Sequence, residues 1–509
     1  MKKLTRKTFL KMSLAGAGAA AVAFPGRILA QAPAVARSGS ANSDIRIAIV
    51  GLNQQGAGHM RTYFKMAGVR LVALCDVDQT VLAKRKTECA KENLTVATYG
   101  DYRLLLADSI VDVVVLATPN HHHSLQVIWA LQAGKDVYVE KPLSHNVWEG
   151  RQAVEASKKY RKNIVFAGTQ SRSSEDIMEA IAYIRSGKLG RIQWVRGLCY
   201  KQRDSIGKTS GPQAVPETID YDLWTGPADL TPPRRNSPKY GPVHYDWHWF
   251  WNYGGGDITN QGIHQMDVAR WILGEKGLPR SVMSFGGRFG YQDDAETPNT
   301  LVSVFDYETA PLIFEVRGLP QKAGMRAMDA YRGTRVGVVV QCEGGYAAVN
   351  GDAGTVNIFD SDNKRLLQLG KNTLGQHRPN FIKAVRDRRV TIGSVEECHY
   401  SSALCHLGNI SYLVGADRSN AALAESIRAS GTTQETFSRM LDHLKANELD
   451  IDRTTTVVGP KLAVDAVAER FVGGEREIVA AANRSPLLKR EGRGAFKIPV
   501  IAASSIYQL

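Results

Sequence analysis

Residues 45–50 read IRIAIV, a short apolar run rich in β-branched side chains, and lead directly into the sequence GLNQQG at 51–56. An apolar run of this length that ends in glycine predicts a buried strand, and the pattern after Gly56 predicts a helix near 57–67. A strand, a glycine turn and a helix in this order place backbone N–H groups and a helix N-terminus against the pyrophosphate of a dinucleotide. The stretch therefore predicts the first unit of a dinucleotide-binding domain, the alternative being an ordinary strand-to-helix turn.

The glycine turn departs from the G-x-G-x-x-G pattern at one position, where Asn53 replaces the second glycine. Asn tolerates left-handed dihedrals better than other non-glycine residues, so we expect the turn to close. The next strand, at 69–75, ends at Asp76, where a carboxylate can accept hydrogen bonds from a ribose 2'-hydroxyl. Because an acid here repels a 2'-phosphate, the sequence predicts NAD in preference to NADP.

Two patterns divide the rest of the chain. Strands near 45–50, 69–75, 111–117, 135–140 and 164–168 alternate with helices near 57–67, 79–90, 122–133 and 147–160, which predicts an α/β Rossmann domain with a doubly wound parallel sheet over 45–168. Apolar or alternating runs near 191–200, 281–289, 300–307, 310–317, 335–342 and 346–350 then predict an α+β substrate domain over 169–415 with a largely antiparallel sheet. Helices near 377–388 and 399–414 are expected to close it. The C-terminal extension, 416–509, has an amphipathic helix near 433–446, and we interpret the extension as a packing or subunit-contact element.

The N-terminus has the composition of an export signal. Basic residues up to Lys11, an apolar stretch at 12–24 and small residues at 30–32 predict a signal over 1–32, followed by an Ala-, Ser- and Gly-rich linker at 33–44. The signal resembles the twin-arginine type with Arg6 and Lys7 in place of the arginine pair; a general secretory signal and an uncleaved anchor are the alternatives. The twin-arginine route carries folded proteins, so it suits a protein that takes up NAD before export. We expect a periplasmic protein with no membrane association once the signal is removed.

The net charge and the cysteine content narrow the classes of partner and the covalent links that we expect. The formal net charge is +14, but the first 32 residues contain six lysines and arginines and no acid. No lysine- and arginine-rich block suggests nucleic-acid binding. The six cysteines lie far apart without a C-x-x-C pair, so we interpret them as mostly buried thiols, with a disulfide possible.

Two groups of polar residues follow predicted strands of the first domain. Lys141 follows the strand at 135–140, at the edge of the sheet where open α/β folds bind ligands. There it can bind a substrate hydroxyl and exchange a proton, with its pKa lowered by burial. Thr118, Pro119 and Asn120 follow the preceding strand and are expected to line the same crevice. A surface charge is the alternative for Lys141.

A second candidate lies downstream, in GGGDITNQGIHQMDVARW at 254–271. If 257–273 is helical, Asn260 and His264 share one face, with Asp257 and Asp267 beside them. A histidine facing a nicotinamide is a natural base for a hydroxyl proton. A structural histidine and a metal site are the alternatives; no second His or Cys ligand lies close in sequence, so we expect no metal.

Aromatic residues cluster just before these glycines, at 240–253. Flat rings with polar edges suit sugars, but such a run is also typical of a domain-interface core. The neighbouring candidates favour a carbohydrate substrate.

Six motifs in this order resemble the glucose-fructose oxidoreductase and inositol dehydrogenase (Gfo/Idh/MocA) family, and in particular its exported, twin-arginine-signalled bacterial members. They are GLNQQG with Asp76, ATPNHHH at 117–123, VEKPLSHN at 139–146 followed by Glu149 and Gly150, DLWTGPA at 222–228, the glycine-rich segment at 254–271, and HLGNISY at 406–412. The resemblance covers about 45–415. It implies that Lys141 is the active-site lysine and His264 the catalytic histidine. Polyol dehydrogenases of this family have an aspartate where this chain has Asn260, and an amide supports an imidazolium less well than a carboxylate does. Lys141 or a carboxylate such as Asp257 is then expected to take over part of the proton transfer.

The sequence therefore predicts an NAD-dependent oxidoreductase that acts on a sugar, polyol or glycoside hydroxyl, and we expect a homo-oligomer. One alternative is an NAD-dependent glycoside hydrolase that oxidises a ring carbon transiently and eliminates the aglycone. Another is a non-catalytic NAD-bound sensor or binding protein. Catalytic roles are expected for Lys141, His264 and Asn260. The residues expected to contact NAD are Gly51, Asn53, Gln54, Gln55, Gly56, Asp76, Thr118, Pro119, Asn120, Glu140 and Lys141.

Overall fold

The computed structural model describes residues 44–235, 237, 239–351 and 354–502. The predicted export signal and all of the linker except Asp44 lie outside the described residues. In the described part of the chain, no helix has both the length and the apolar character needed to cross a membrane.

The first domain is built on a six-stranded parallel sheet in the order β3-β2-β1-β4-β5-β6. Its strands are β1 (Ile45–Val50), β2 (Val69–Cys75), β3 (Ala97–Tyr99), β4 (Val113–Leu116), β5 (Asp136–Val139) and β6 (Val165–Ala167). Its helices are α1 (Gln54–Tyr63), α2 (Gln79–Lys91), α3 (Tyr102–Ala107), α4 (His123–Gln132) and α5 (Val147–Lys159). The central strands are apolar on both faces because helices cover both sides of the sheet. This confirms the predicted Rossmann fold.

The second domain contains a twelve-stranded sheet that begins with β7 (Ile192–Tyr200). The others are β8 (Ser281–Gly287), β9 (Thr300–Asp306), β10 (Leu312–Arg317), β11 (Val336–Cys342), β12 (Gly345–Asn350), β13 (Thr355–Asp360), β14 (Arg365–Leu369), β15 (Ala416–Ser419), β16 (Thr455–Val458), β17 (Leu462–Asp465) and β18 (Arg470–Val472). β7 pairs in parallel with β10, and the remaining described pairs in this sheet are antiparallel, so the predicted largely antiparallel sheet is confirmed.

The helices of this half pack on the sheet or carry the site. They are α6 (Glu175–Arg185), α7 (Tyr221–Thr225), α8 (Asp257–Asn260), α9 (Gly262–Leu273), α10 (His377–Asp387), α11 (Val395–Leu413), α12 (Asn420–Ser426), α13 (Gly431–Ala446) and α14 (Arg476–Asn483). α6, α9 and α11 cover one face of the sheet and form its larger core.

One helix packs elsewhere than predicted. We expected α10 to close the second domain, but Phe381, Ile382 and Val385 are buried against β1, β4 and the first-domain helices. The chain returns to the first domain at this point, which local periodicity does not indicate.

The C-terminal extension packs against both domains. Phe437 and Met440 of α13 lie in a core with Phe285 of β8, on the sheet face opposite α9. Further along, Ile498 and Ile501 are buried in the first-domain core beside α5. The predicted amphipathic helix is confirmed, and the described part of the extension is a packing element within the chain. All six cysteines are buried, and none of them forms a disulfide in the described part of the chain.

Candidate functional site

A crevice of about 690 Å³ lies between the carboxyl ends of the parallel strands and the second domain. The first domain lines it with residues 50–55, 75–78, 117–120, 122, 123, 140 and 141, and the second domain with Gln170, Lys201, Arg203, Trp224, Lys239, Tyr240, His244, Tyr245, Trp247, His248, Asn260, Gln261 and His264. Of the residues expected to contact NAD, all except Gly56 line this crevice.

The glycine turn is closed by direct backbone contact. Gly51 has a φ of 78°, and a Cβ there would lie 2.7 Å from the Ala117 carbonyl oxygen. A Cβ at Gly56 would lie 1.7 Å from the carbonyl oxygen of Gly51. Only glycine fits at either position. Gly56 therefore allows the turn to close by backbone contact, although it does not line the crevice itself.

Asn53 does not adopt the left-handed conformation that we expected. Its φ is −78°, because it stands at the N-cap of α1, a position that favours extended dihedrals; the positive φ falls on Gln54, at 23°. The Asn53 side chain makes no capping hydrogen bond. The first N–H groups of α1 therefore have no side-chain cap, which fits a pyrophosphate at this helix N-terminus.

Asp76 is held at the end of β2 by two backbone groups. Its Oδ2 accepts from Leu52 N at 2.7 Å, and its Oδ1 accepts from Asp78 N at 3.0 Å. Burial raises the pKa of Asp76, while these two N–H groups oppose that shift. Each carboxylate oxygen can accept a further hydrogen bond, so the residue fits a ribose diol.

Glu140 is the centre of a buried hydrogen-bond network below the turn. Its Oε1 accepts from Gln55 Nε2 at 2.8 Å and from His59 Nε2 at 2.9 Å. Arg378 donates to His59 Nδ1 at 3.1 Å, so the ring proton lies on Nε2. Burial opposes ionisation, but His59, Lys141 and Gln55 hold the pKa of Glu140 well below its usual range. Glu140 thus positions Gln55 in the turn.

Thr118, Pro119 and Asn120 line the crevice after β4, as expected. Thr118 Oγ1 donates to Gln126 Oε1 at 2.6 Å, and its carbonyl oxygen lies 2.8 Å from His123 Nε2. These contacts hold Thr118 in place, so that the segment after β4 forms one wall of the crevice.

Lys141 reaches across the crevice from the end of β5 to the second domain. Its Nζ donates to the carbonyl oxygen of Asn260 at 2.7 Å. Burial lowers the pKa of Lys141; Glu140 opposes this, and the nearby cations Lys201 and Arg203 lower it further. The lysine is thereby suited to give up and regain a proton.

His264 lies in the first turn of α9 and lines the crevice with Asn260. The predicted single helix is broken at Gln261, between α8 and α9, yet both side chains still border the cavity. Burial, and then the charge of Lys141, lower the pKa of His264 to about 3. The imidazole is therefore neutral at physiological pH, and one of its ring nitrogens carries no proton.

The two flanking aspartates are bound elsewhere. Asp257 forms two hydrogen bonds with Arg203, at 2.8 and 2.7 Å, and Asp267 forms two with Arg172, at 2.8 and 2.9 Å. The expectation that Asp257 substitutes for the missing carboxylate beside His264 is therefore not supported. Its charge is paired with Arg203 instead.

The aromatic run at 240–253 has two roles. Tyr240, Tyr245, Trp247 and His248 line the crevice, with the Trp247 and His248 rings stacked at a centroid distance of 3.7 Å. In contrast, Trp249, Phe250 and Tyr253 are buried in a local core. The run is thus divided between a wall of the crevice and a local core, and its role in carbohydrate binding stays a prediction.

Sequence reasoning missed several lining residues. Lys201 follows β7 of the largely antiparallel sheet, to which the strand-end rule for parallel sheets does not apply. Its Nζ donates to Gln261 Oε1 at 2.9 Å. Gln170 begins a short 3-10 helix (Gln170–Ser173) and His244 lies in an irregular segment, and neither carries such a signal.

Segments of the second domain cross to the first domain beside Asp76. Backbone groups of 218–220 pair with 77–79 through hydrogen bonds of 2.9 and 3.1 Å and a β-bridge. Nearby, Asn53 Nδ2 lies 3.2 Å from His244 Nδ1, and His244 Nε2 lies 2.9 Å from Asp78 Oδ2. We call these contacts of 218–220 and His244 the interdomain clasp. It borders the end of the crevice where Asp76 lies.

Across the described ranges, no group of three or more His, Cys, Asp or Glu side chains is arranged to hold a metal ion.

Comparisons with known proteins agree with this architecture. Residues 45–169 match the model of an oxidoreductase family with an NAD-binding Rossmann fold, GFO_IDH_MocA, and residues 187–285 match that of the family's C-terminal alpha/beta domain. Inositol 2-dehydrogenase of Salmonella typhimurium is 29% identical over 180 residues, which is 35% of this chain and 52% of that protein. A glycosyl hydrolase family 109 protein of Shewanella putrefaciens is 30% identical over 153 residues, 29% of this chain and 33% of that protein. The chain thus aligns with about half, or less, of these relatives.

Solved structures share the fold at low identity. The WlbA dehydrogenase of Bordetella pertussis, in complex with NADH and UDP-GlcNAcA, superposes with a TM-score of 0.53 at 20% identity, covering 72% of this chain and 95% of that one. Levoglucosan dehydrogenase, in complex with NADH and levoglucosan, gives 0.53 at 17% identity, covering 72% and 96%. Two segments of the chain thus match the N-terminal and C-terminal domain models of the Gfo/Idh/MocA oxidoreductase family, and the solved structures share the fold.

Proposed function

We propose that this protein is an NAD-dependent oxidoreductase that acts on a hydroxyl group of a sugar, polyol or glycoside. One observation carries the proposal: Lys141 from the first domain and His264 from the second line the same crevice as the glycine turn and Asp76. A nucleotide site and a pair of proton-transfer groups thus share one cavity. The two matched domain models of an oxidoreductase family and the sugar-related names of the relatives support the same assignment.

The residues divide the chemistry between them. Bound NAD⁺ would supply the acceptor for the hydride that leaves the carbinol carbon. The neutral His264 takes the hydroxyl proton as the carbonyl forms. The Lys141 ammonium donates a hydrogen bond to the same oxygen and orients it. Trp247 and His248 offer a flat surface to a sugar ring.

The second candidate is a glycoside hydrolase that uses NAD without net oxidation. A ring hydroxyl would be oxidised, the aglycone eliminated, water added and the hydride returned to the sugar. The interdomain clasp favours this candidate, because it borders the nucleotide end of the crevice and would slow the exchange that a dehydrogenase needs. The family 109 relative supports it as well.

One experiment tests the assignment. The mature protein is purified, its bound nucleotide is identified by mass spectrometry, and sugars, polyols and aryl glycosides are screened for NADH absorbance and for aglycone release. NADH formation supports the dehydrogenase, and aglycone release without NADH supports the hydrolase. Bound NAD with neither product across a broad panel would favour the third alternative, a non-catalytic NAD-bound sensor or binding protein.

We also propose that the protein reaches the periplasm by the twin-arginine route, on the basis of the sequence at 1–32. Replacing Arg6 and Lys7 by glutamine should retain the precursor in the cytoplasm. Normal delivery in a strain without the twin-arginine translocase would contradict this route.

A further inference from the structure

Lys201 is a cation of the crevice without an acidic partner. It follows β7, is only half-buried, and directs its Nζ to the amide oxygen of Gln261 at 2.9 Å. Among the residues that the structure describes, no carboxylate lies within 4.0 Å of this ammonium group. A neutral amide oxygen is a weak partner for a partly desolvated charge.

The two acids that raise the pKa of the neighbouring Lys141, Glu140 and Asp257, have other partners. Asp257 is bound by Arg203 through two hydrogen bonds. Glu140 accepts hydrogen bonds from Gln55 and His59. The positive charge of Lys201 therefore remains uncompensated in this part of the cavity, where it lowers the pKa of both Lys141 and His264.

The position of Lys201 places it beside the proposed reaction centre. Lys141 contacts Asn260 and Lys201 contacts Gln261, so the two ammonium groups are anchored on consecutive residues at the break between α8 and α9. The glycine turn, which fits the pyrophosphate, belongs to a different wall of the crevice. An anion bound by Lys201 would therefore belong to the substrate and lie close to the carbon that reacts.

We propose that Lys201 binds an anionic group of the substrate, a carboxylate or a phosphate, and that the enzyme acts on an acidic sugar in preference to a neutral one. This inference rests on the proposed function, since it assigns the substrate class of the same site. Arg203 contributes little to this recognition because Asp257 already neutralises it.

The test measures binding separately from turnover. Isothermal titration of the NAD-bound protein compares glucuronate, glucose 6-phosphate and glucose, which carry a carboxylate, a phosphate and neither. We expect at least one of the two anions to bind at least about tenfold more tightly than glucose, as a charge-assisted hydrogen bond predicts. K201Q should abolish this difference between the anionic sugars and glucose. The matched control is K208Q, which removes the same charge from an exposed position seven residues along and should change nothing.

Three results would overturn the inference: equal binding of all three compounds to the unmodified protein, an equal loss in K208Q, or a loss of NAD affinity in K201Q, which would assign Lys201 to the nucleotide. Each can arise while neutral sugars are still oxidised. Failure of the proposed function itself would appear differently, as sugar binding without NADH formation or aglycone release.

Discussion

The carboxylate of Asp76 is held by the backbone of Leu52 and Asp78, so its orientation is set before any nucleotide binds. Replacing it by alanine should weaken NAD binding at least tenfold and narrow the preference over NADP, because charge-assisted contacts worth about 1.5–3 kcal/mol are lost. Fluorescence titration with both nucleotides measures this. A circular dichroism spectrum of the variant controls for misfolding of the turn. An unchanged NAD affinity in the alanine variant would remove the basis of the cofactor preference.

Asn260 provides a way to test whether His264 is the base. Burial and Lys141 lower the pKa of His264 to about 3, so the unprotonated ring is present down to low pH and activity should not fall as the pH drops through 6.5. Asn260 lines the same crevice as His264, so Asn260→Asp adds a negative charge to that cavity, which should raise the pKa of His264 and move the acid limb of the kcat/KM profile to higher pH.

The matched control for this change is Asn93→Asp, which adds the same charge on an exposed turn. A profile that does not move in Asn260→Asp would assign the proton transfer mainly to Lys141.

The sequence could predict those site residues whose position directly after a strand indicates that they line a ligand site. Asp76 and Lys141 follow strands of a parallel sheet, and all such strand ends meet at one edge. The pairing of Arg203 with Asp257 could not be predicted, since 54 residues separate them. For the same reason, the sequence alone could not show that Asp257 is paired and does not supply the carboxylate beside His264.

At the scale of elements, β1 and β2 agree with the predicted bounds to the residue, because each is an apolar run that ends in a turn. β3 has three half-buried residues and no apolar pattern, and β15 is fully exposed. Each of them is a strand because its backbone pairs with the edge of a neighbouring strand. The helix break at Gln261 was also missed, since residues 257–273 keep a helical pattern across it.

The helix α13 shows what the extension contributes. Phe437 is buried against Phe285 in an edge-to-face contact with a centroid distance of 5.7 Å. Phe437→Ala should lower the free energy of unfolding by about 3–5 kcal/mol, as truncation of a buried aromatic ring does. Chemical denaturation measures this, with Ser438→Ala on the exposed face of the same helix as the control. Equal stability of the two variants would mean that α13 does not hold the sheet face.

At the scale of the molecule, the interdomain clasp joins two domains that are separate in sequence. His244 links Asn53 of the glycine turn to Asp78. His244→Ala should increase the rate of NAD dissociation several-fold with a smaller effect on kcat, because the crevice opens more readily. Stopped-flow displacement of bound NAD by excess nucleotide measures the rate. An unaltered rate would mean that the clasp does not limit release, and the hydrolase alternative would lose its structural support.

The extension also bears on assembly. Its buried residues pack within the chain, on the sheet face and beside α5, so they are not available for a subunit contact. The homo-oligomer expected from the sequence stays a prediction, which light scattering of the purified protein would test.

The central claim is that Lys141 and His264 act from two domains on one carbon. The most direct measurement is the single-turnover rate of Lys141→Met and of His264→Ala with a substrate deuterated at the transferred hydrogen, alongside the bound NAD content. We predict that each variant retains NAD and loses about 10²–10⁴-fold in rate, as removal of a general acid or base does, while the intact protein transfers the label to the nucleotide. Full NAD occupancy with an undiminished rate in either variant would contradict the account.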